Sequence, residues 1–434
     1  MKKAFTWSVI VAFGGFIFGL DTAVISGAEQ SIQRLWGLNV FEHGFTVSIA
    51  LIGTVFGAML GGIPSDAWGR KKTLLWIAIL FFASAIGSAL ATDWYVFLFF
   101  RFVGGLGVGC SSVTAPMYIS EISPASHRGR LVALFQFNIV FGILIAFISN
   151  YLFQGFGDNS WRWMLGIQAF PSALFLIAVM FVPESPRWLV VKRGEVDEAM
   201  SIFNKINPLT AETELKSIEN AHAKSMTESS ERLFSHKYSF PVTLAVVFAV
   251  FNQMSGINAI IYYAPRIFEM TGLGSDSAFL STAGLGLVNF VFTLLAVNFI
   301  DRFGRKKLML IGSVGLILTL ALVARSFYVG DFSGYIVPFS LFVYIAFFAF
   351  SQGAVIWVFI SEIFPNEVRA SGQALGSFTH WFIAAVIAFS FPYISESLGG
   401  GNTFMIFTIM MILQLIFVIK IMPETKGKTL EQNV

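Results

Sequence analysis

DAWGRKK, Asp66–Lys72, and DRFGRKK, Asp301–Lys307, are two copies of one short basic loop, 235 positions apart. Two further pairs keep nearly the same offset. SEISPASHRG from Ser120 returns as SEIFPNEVRA from Ser361, 241 positions on, and PESPRW from Pro183 returns as PETKGK from Pro423, 240 positions on. One basic loop could recur by chance. Three motifs repeated in one order at one spacing indicate an internal duplication of about half the chain.

Between the motifs the chain is apolar. Of its 434 residues 56% are hydrophobic and 12% charged, with a mean hydropathy of +0.74; a soluble domain carries about twice that charge. Runs long enough to cross about 30 Å of hydrocarbon recur along almost the whole length. They fall near 7–28, 44–64, 73–92, 94–120, 131–154 and 161–182, then near 238–270, 277–300, 307–328, 335–361, 370–394 and 402–422. The pattern is six plus six, an all-α membrane protein of twelve helices in two related bundles, 1–182 and 241–422, with a linker at 183–240 and a tail at 423–434. Lys2 and Lys3 before an apolar run resemble a signal peptide, but the run is too long and Asp21 interrupts it, so it reads as the first membrane helix. A net charge of +3 gives no reason to expect a nucleic-acid partner.

Lys and Arg set the orientation. Of 28, 23 fall at the N-terminus, in the even-to-odd loops, in the central stretch and in the tail. Arg34, Arg162, Arg266 and Arg325 fall on the other side, and Arg101 lies inside a segment. This asymmetry predicts cytoplasmic termini and a cytoplasmic linker in a plasma membrane, a bacterial inner membrane being the expected setting. In the linker, EVDEAMSIFNKI and AETELKSIENA space apolar residues at helical intervals among charges, with Thr210 as an N-cap. Short amphipathic helices are expected there; some fifty residues are too few for a catalytic domain. Gly53, Gly57 and Gly61, and Gly105 and Gly109, repeat every fourth residue, which lets helix backbones approach closely. Cys110, the single cysteine, excludes an internal disulfide and is expected to pack.

Polar groups inside the apolar segments are few. Asp21 lies in the first and Arg101 in the fourth. A bare charge at mid-membrane costs about 2.5–3.5 kcal/mol on insertion scales, so such residues face a watery cavity or each other. A purely structural pair fits the same facts. The seventh segment, FNQMSGINAIIYYAP, gathers Asn252, Gln253 and Asn258 around Ser255-Gly256, with Pro265 after them. Gly and Pro beside several amides predict a broken helix. Amides donate and accept, and so match the hydroxyls of a polyol. Gln136, Asn289 and His380 add polar groups to the fifth, eighth and eleventh segments, and Trp357 and Trp381 offer flat faces for a sugar ring. For any one amide, an interhelical hydrogen bond is an equal reading.

On GFIFGLDTAVISG, the two GRKK loops, RFVGGLGVG, PMYISEISPASHRG, PESPRWL, SGINAIIYYAP, WVFISEIFP and PETKGKTL, the chain resembles the sugar porters of the major facilitator superfamily. In motif it is most similar to the bacterial xylose– and other sugar–proton symporters. The resemblance implies a sugar site at Gln136, Asn252, Gln253, Asn258, Asn289, Trp357 and Trp381, with His380 beside it. It implies a proton carrier at Asp21 with Arg101 as neighbour; facilitators of the family commonly hold Asn at that position. It further implies a cytoplasmic gate in which Glu121 and Glu362 of one half pair with arginines of the other, drawn from Arg70, Arg128, Arg302 and Arg369, with Asp66 and Asp301 in the loops. Three departures bear on the sugar. Asn252 stands where the family usually has Gln, the prolines common before Trp357 are absent so that a hinge would rest on Gly353, and His380 replaces an amide.

The expected function is proton-coupled import of a monosaccharide (hexose, pentose or related polyol) by a monomer, with no cofactor beyond the proton and no metal. A passive facilitator on the same fold is the alternative. A non-transporting sensor is expected to carry a long cytoplasmic tail, and about a dozen residues follow Met422. No metal-ligand cluster, nucleophile elbow or phosphate loop supports an enzyme.

Overall fold

A computed structural model describes residues 2–124, 127–227, 232–332, 335–365 and 367–426, so the end of the expected tail lies outside the described residues. Among them there is no strand. The first six membrane helices are α1 (Lys2–Trp36), α2 (Val40–Leu60), α3 (Arg70–Leu90), α4 (Trp94–Ile122), α5 (Arg128–Phe153) and α6 (Gly157–Met180). Next come α7, in three pieces (Ser239–Met254, Ile257–Tyr262 and Ala264–Met270), α8 (Ser275–Phe303) and α9 (Arg305–Val329). Helix α10 runs in two pieces, Ile336–Phe350 and Gln352–Glu362. The last helical run, Arg369–Lys420, breaks at Gly399 (φ 76°, ψ 159°), which makes it α11 and α12. The chain is thus an all-helical membrane protein of twelve spans.

The chain packs as two compact units. One comprises Met1–Asp21, Gly53–Gly142 and Gly166–Glu231, the other Thr22–Ile52, Ile143–Leu165 and Arg232–Val434. Helices α1, α2, α5 and α6 therefore each contribute to both units. In the first unit the glycine spacing has the use expected of it: a Cβ at Gly57 would lie 2.3 Å from the Leu106 carbonyl oxygen, and one at Gly109 2.2 Å from that of Thr54. Backbones this close gain dispersion contact along the whole seam. Cys110 packs there, its thiol 3.4 Å from the Gly57 carbonyl oxygen. On the other side of α3, Trp76, Ile79, Phe82 and Ile86 are exposed at helical spacing, a lipid-facing stripe. The linker forms the two amphipathic helices its pattern predicts, Val196–Ile206 and Ala211–Thr227. The first buries Ala199, Ile202, Phe203 and Ile206. Thr210 precedes the second and accepts Glu214 N–H on its carbonyl at 2.9 Å.

In the second unit Phe248 of α7 and Phe359 of α10 meet at 4.8 Å between ring centroids, within a core that includes Leu308, Met309 and Val418. Helix α7 breaks at Gly256 (φ 85°), where a Cβ would strike the Phe407 ring at 2.6 Å; only glycine fits both the dihedral and the space. A second break falls at Tyr263, ahead of Pro265. The expected hinge of α10 is displaced. The helix breaks at Ser351 (φ −116°, ψ −88°), two residues before Gly353, where Ser351 Oγ donates to the Phe347 carbonyl at 2.6 Å.

Candidate substrate and proton site

The duplicated motifs build the same ion cluster twice. In the first unit Gly69 (φ 95°, ψ 162°) turns the chain into α3, and Glu184 accepts the freed N–H groups of Arg70 (2.8 Å) and Lys71 (3.1 Å). The Arg70 guanidinium forks onto Glu121 with two bonds of 3.0 Å, and Ser185 Oγ donates to the same carboxylate at 2.5 Å. In the second unit Gly304 (φ 85°, ψ 163°) opens α9 and Glu424 accepts Arg305 N–H (2.9 Å) and Lys306 N–H (3.0 Å). There Arg305 forks onto Glu362 at 3.0 and 2.7 Å, and Thr425 Oγ donates at 2.6 Å. A carboxylate at a helix N-terminus satisfies backbone donors that no turn of helix precedes, and its charge suits the helix dipole. Burial pushes the Glu184 carboxyl above the ordinary range, against the N–H groups of Ser185, Lys71 and Arg70. At Glu424 burial also raises it, but the N–H groups of Lys426, Arg305, Lys306 and Thr425 outweigh that and hold it low.

Each gate carboxylate is therefore held by an arginine of its own repeat. The partner of Glu362 is Arg305, the true counterpart of Arg70; Arg302 is exposed. Asp66 bonds Arg70 at 3.0 Å and Arg128 is exposed. Arg369 donates to the Phe364 carbonyl at 3.3 Å, and its Nη2 is buried. The Asp301 side chain lies outside the described residues.

Asp21 and Arg101 meet as their placement predicts. Arg101 Nη1 donates to Asp21 Oδ1 at 2.7 Å and Nη2 to the Asp21 carbonyl at 3.3 Å, with both residues 2% exposed. Asp21 sits on an unbroken stretch of α1, so the carboxylate is fixed by helix packing, and Ser84 stands near it across Gly104. Gln136 lies half-buried on α5 in the same unit.

The second unit gathers the amides around the α7 break. Asn258 Nδ2 donates to Gln253 Oε1 at 2.6 Å, and Gln253 Nε2 donates to Asn252 Oδ1 at 3.1 Å while lying 3.1 Å from both ring nitrogens of His380. Asn252 Nδ2 donates onward to the Gln352 carbonyl at 3.3 Å. His380 is buried between Trp357 and Trp381, both ring pairs 4.8 Å apart. The break at Gly256 makes this possible: it turns Asn258 back toward Gln253, five residues earlier. Asn289 is buried on α8 and is not tied into this chain of bonds. Two groups escape a reading of the sequence. Tyr344 Oη donates to the Ser255 carbonyl at 2.9 Å and so caps the broken turn. Gln352, fully buried, donates to Gln414 Oε1 at 2.8 Å beside the α10 break. The only signal for either was a polar group in an apolar run.

Two fixed polar groupings inside membrane helices, one ionic and one of neutral amides flanked by indoles, suit a carrier better than a catalyst. Residues 7–433 match the family described as Sugar (and other) transporter. The chain belongs to this family. It is a transporter of the major facilitator superfamily and an integral membrane protein, not an enzyme. It is 39% identical over 432 residues to the arabinose-proton symporter of Bacillus subtilis (strain 168), covering 98% of this chain and 93% of that one. It is 36% identical over 469 residues to the D-xylose-proton symporter of Escherichia coli (strain K12), covering 99% and 94%. Among solved structures, the partially occluded inward-open conformation of the E. coli xylose transporter matches with a TM-score of 0.87 and 34% identity, over 99% of this chain and 100% of that one.

Proposed function

We propose that this transporter imports a monosaccharide together with a proton, by alternating access of its two halves, 1–182 and 241–422. Both termini and the linker then lie in the cytoplasm of a bacterial cell, as the Lys/Arg asymmetry requires. The observation that carries the reading is the Asp21–Arg101 pair, an acid and a base 2.7 Å apart and closed off from solvent. Relatives named as proton symporters support it.

The chemistry follows from charge balance. An ionised Asp21 attracts the Arg101 guanidinium that donates to it at 2.7 Å. A proton on Asp21 cancels that attraction and frees Arg101 to move, and the pair parts only when the acid is neutral. The amides of Asn252, Gln253 and Asn258, with Asn289 and Gln136, supply donors and acceptors for a neutral polyol, and Trp357 and Trp381 supply apolar faces for its C–H side. The sugar class we assign is a hexose, pentose or related polyol. The paired carboxylates and arginines at the basic-loop end act as gate charges, broken and remade as that end opens and closes. One proton moving down 100 mV supplies about 2.3 kcal/mol, enough for roughly fifty-fold accumulation.

Asp21→Asn tests the assignment in liposomes. It is expected to exchange labelled sugar between equal pools yet lose uptake driven by a proton gradient. A variant that still concentrates sugar as the wild type does removes Asp21 from coupling. A wild type that only equilibrates sugar leaves the passive facilitator as the correct reading.

A further inference from the structure

At the end of the second unit opposite the basic loops, a second buried charge cluster joins three helices. Glu29 of α1 and His43 of α2 are both fully buried. Arg266 lies on the short helix Ala264–Met270 that ends α7. Its Nε donates to Glu29 Oε1 at 3.0 Å, and its Nη2 donates to Glu29 Oε2 at 2.8 Å and to Gln33 Oε1 at 2.5 Å. His43 Nε2 lies 2.8 Å from the same Glu29 Oε2 but is not aligned for a hydrogen bond, and both ring nitrogens are buried with no hydrogen-bond partner among the described residues.

The charge count decides what this cluster can do. Glu29 and Arg266 cancel, so a proton on His43 would add an uncompensated buried cation beside a guanidinium. Withdraw Arg266 and the sign reverses: Glu29 is left as a buried anion whose nearest titratable neighbour is His43. Two further charges act on Glu29 with opposite sign and offset each other: Glu269 of the Arg266 helix, its carboxylate held by the neutral Gln30 Nε2 at 2.8 Å, adds a negative one, and Arg34 of α1 a positive one. Glu42 of α2 accepts Asn39 N–H at 2.9 Å at its own helix start. Arg34 lies further along α1, and the Tyr263 hydroxyl, next to the His43 ring, donates to the Ala388 carbonyl at 2.9 Å. Arg266 also sits on the one piece of α7 bounded by the Tyr263 break and the positive-φ turn at Gly272 (φ 84°), a helix of seven residues, so withdrawing it requires displacing that piece and not a whole helix.

We propose that Glu29, His43 and Arg266 form a proton-operated latch on the outer end of the transporter. The latch rests on the alternating-access reading and orientation given above. Closed, Arg266 neutralises Glu29 and ties α7 to α1 and α2. As it opens, one of the ring nitrogens of His43 takes one proton from the outside water and replaces Arg266 as counter-ion to Glu29. On closing, the returning guanidinium expels that proton. Acid outside therefore favours the outward-open state, independently of Asp21. A single linked proton tilts the equilibrium by at most about tenfold per pH unit.

The test uses the full chain in nanodiscs, with Cys110→Ser and a reporter thiol at Ser48→Cys. Ser48 is fully buried on α2, just beyond His43, and its hydroxyl bonds only within the helix, so the thiol is tolerated. Maleimide labelling is normalised at each pH to the denatured protein. We expect labelling to rise several-fold from pH 8 to 5.5, His43→Gln to abolish the rise, and the Glu29→Gln/Arg266→Gln double variant to label fast at every pH. His43→Asn serves as a second untitratable variant. A wild type that labels equally across the range overturns the latch, and so does a His43 variant that follows the wild type. Sugar exchange in liposomes by the same proteins separates the two ideas: exchange without a pH-dependent reporter refutes only the latch, whereas a wild type that moves no sugar refutes the transport reading.

Discussion

Replacing Gln253 by Ala removes the centre of the amide cluster. The side chain is 1% exposed and makes three contacts: it accepts from Asn258, donates to Asn252 and faces the His380 ring. Alanine leaves Asn258 Nδ2 and Asn252 Oδ1 each one partner short. Stranding a buried neutral donor or acceptor costs about 1–3 kcal/mol. In the free protein, water entering the space left by the side chain offsets part of that loss. In the complex the sugar occupies this space, so the deficit falls on binding. The expected result is a Kd raised roughly 5- to 150-fold, since 1.4 kcal/mol is a factor of ten. Titration of purified protein by tryptophan fluorescence is a direct assay, because Trp357 and Trp381 both border His380 in the same cluster. The reasoning is refuted by a variant whose thermal unfolding matches the wild type and whose Kd stays within about twofold of it, a difference below half a kcal/mol.

Arg70→Ala and Arg305→Ala remove equivalent groups from unequal surroundings: the Glu121 side chain is 7% exposed and that of Glu362 22%. The first should cost the more, about 3–5 kcal/mol for a buried carboxylate left alone; equal losses in detergent unfolding would contradict this. Gly256→Ala needs φ 85° and displaces Phe407, so it should cost about 1–2 kcal/mol in backbone strain alone and slow transport. Pairing it with Phe407→Leu should recover only the steric part, and full recovery would mean that the left-handed turn is not required. Glu184 and Glu424 should respond to acid in opposite senses. The Glu184 carboxyl is raised from 4.5, so its contribution is present at low pH and fades as pH climbs through its folded value; that of Glu424 is lowered, so its contribution is present above 4.5 and fades in acid below it. Glu184→Gln should flatten a gain in stability on acidification, read from unfolding midpoints from pH 7 downward, and Glu424→Gln a loss, read from midpoints below pH 4.5.

Much of this was legible in the chain itself because the membrane forces polarity to declare itself. Asp21 and Arg101 stood out against apolar runs and do meet, and SGINA with its nearby Pro265 announced the break in α7. What escaped had no local signal. Nothing near Glu184 or Glu424 says that each caps a helix begun 114 residues upstream in one case and 119 in the other. The arginine that holds Glu362 follows from the repeat once Arg70 is placed, since Arg305 occupies the same position in DRFGRKK as Arg70 in DAWGRKK; Arg302, chosen for lying in that loop, occupies another. The α10 break falls at a serine rather than at the glycine two residues on, and counting glycines misses it.

The duplication also explains why charge and amide lie in different halves. GLD at Gly19–Asp21 and GIN at Gly256–Asn258 are 237 positions apart, within the spread of the repeat offsets. The site of the proton-binding acid in the first repeat is thus the site of a sugar-facing amide, on our reading, in the second. The surroundings diverged with it. Asp21 stays on a continuous helix and meets a guanidinium, whereas Asn258 follows a left-handed glycine and meets a glutamine. A neutral polyol gains from neutral donors and acceptors and would have to displace a counter-ion to bond a carboxylate. A proton needs an acid whose counter-ion can leave. One repeat cannot satisfy both demands at one position, and two copies of the same position can.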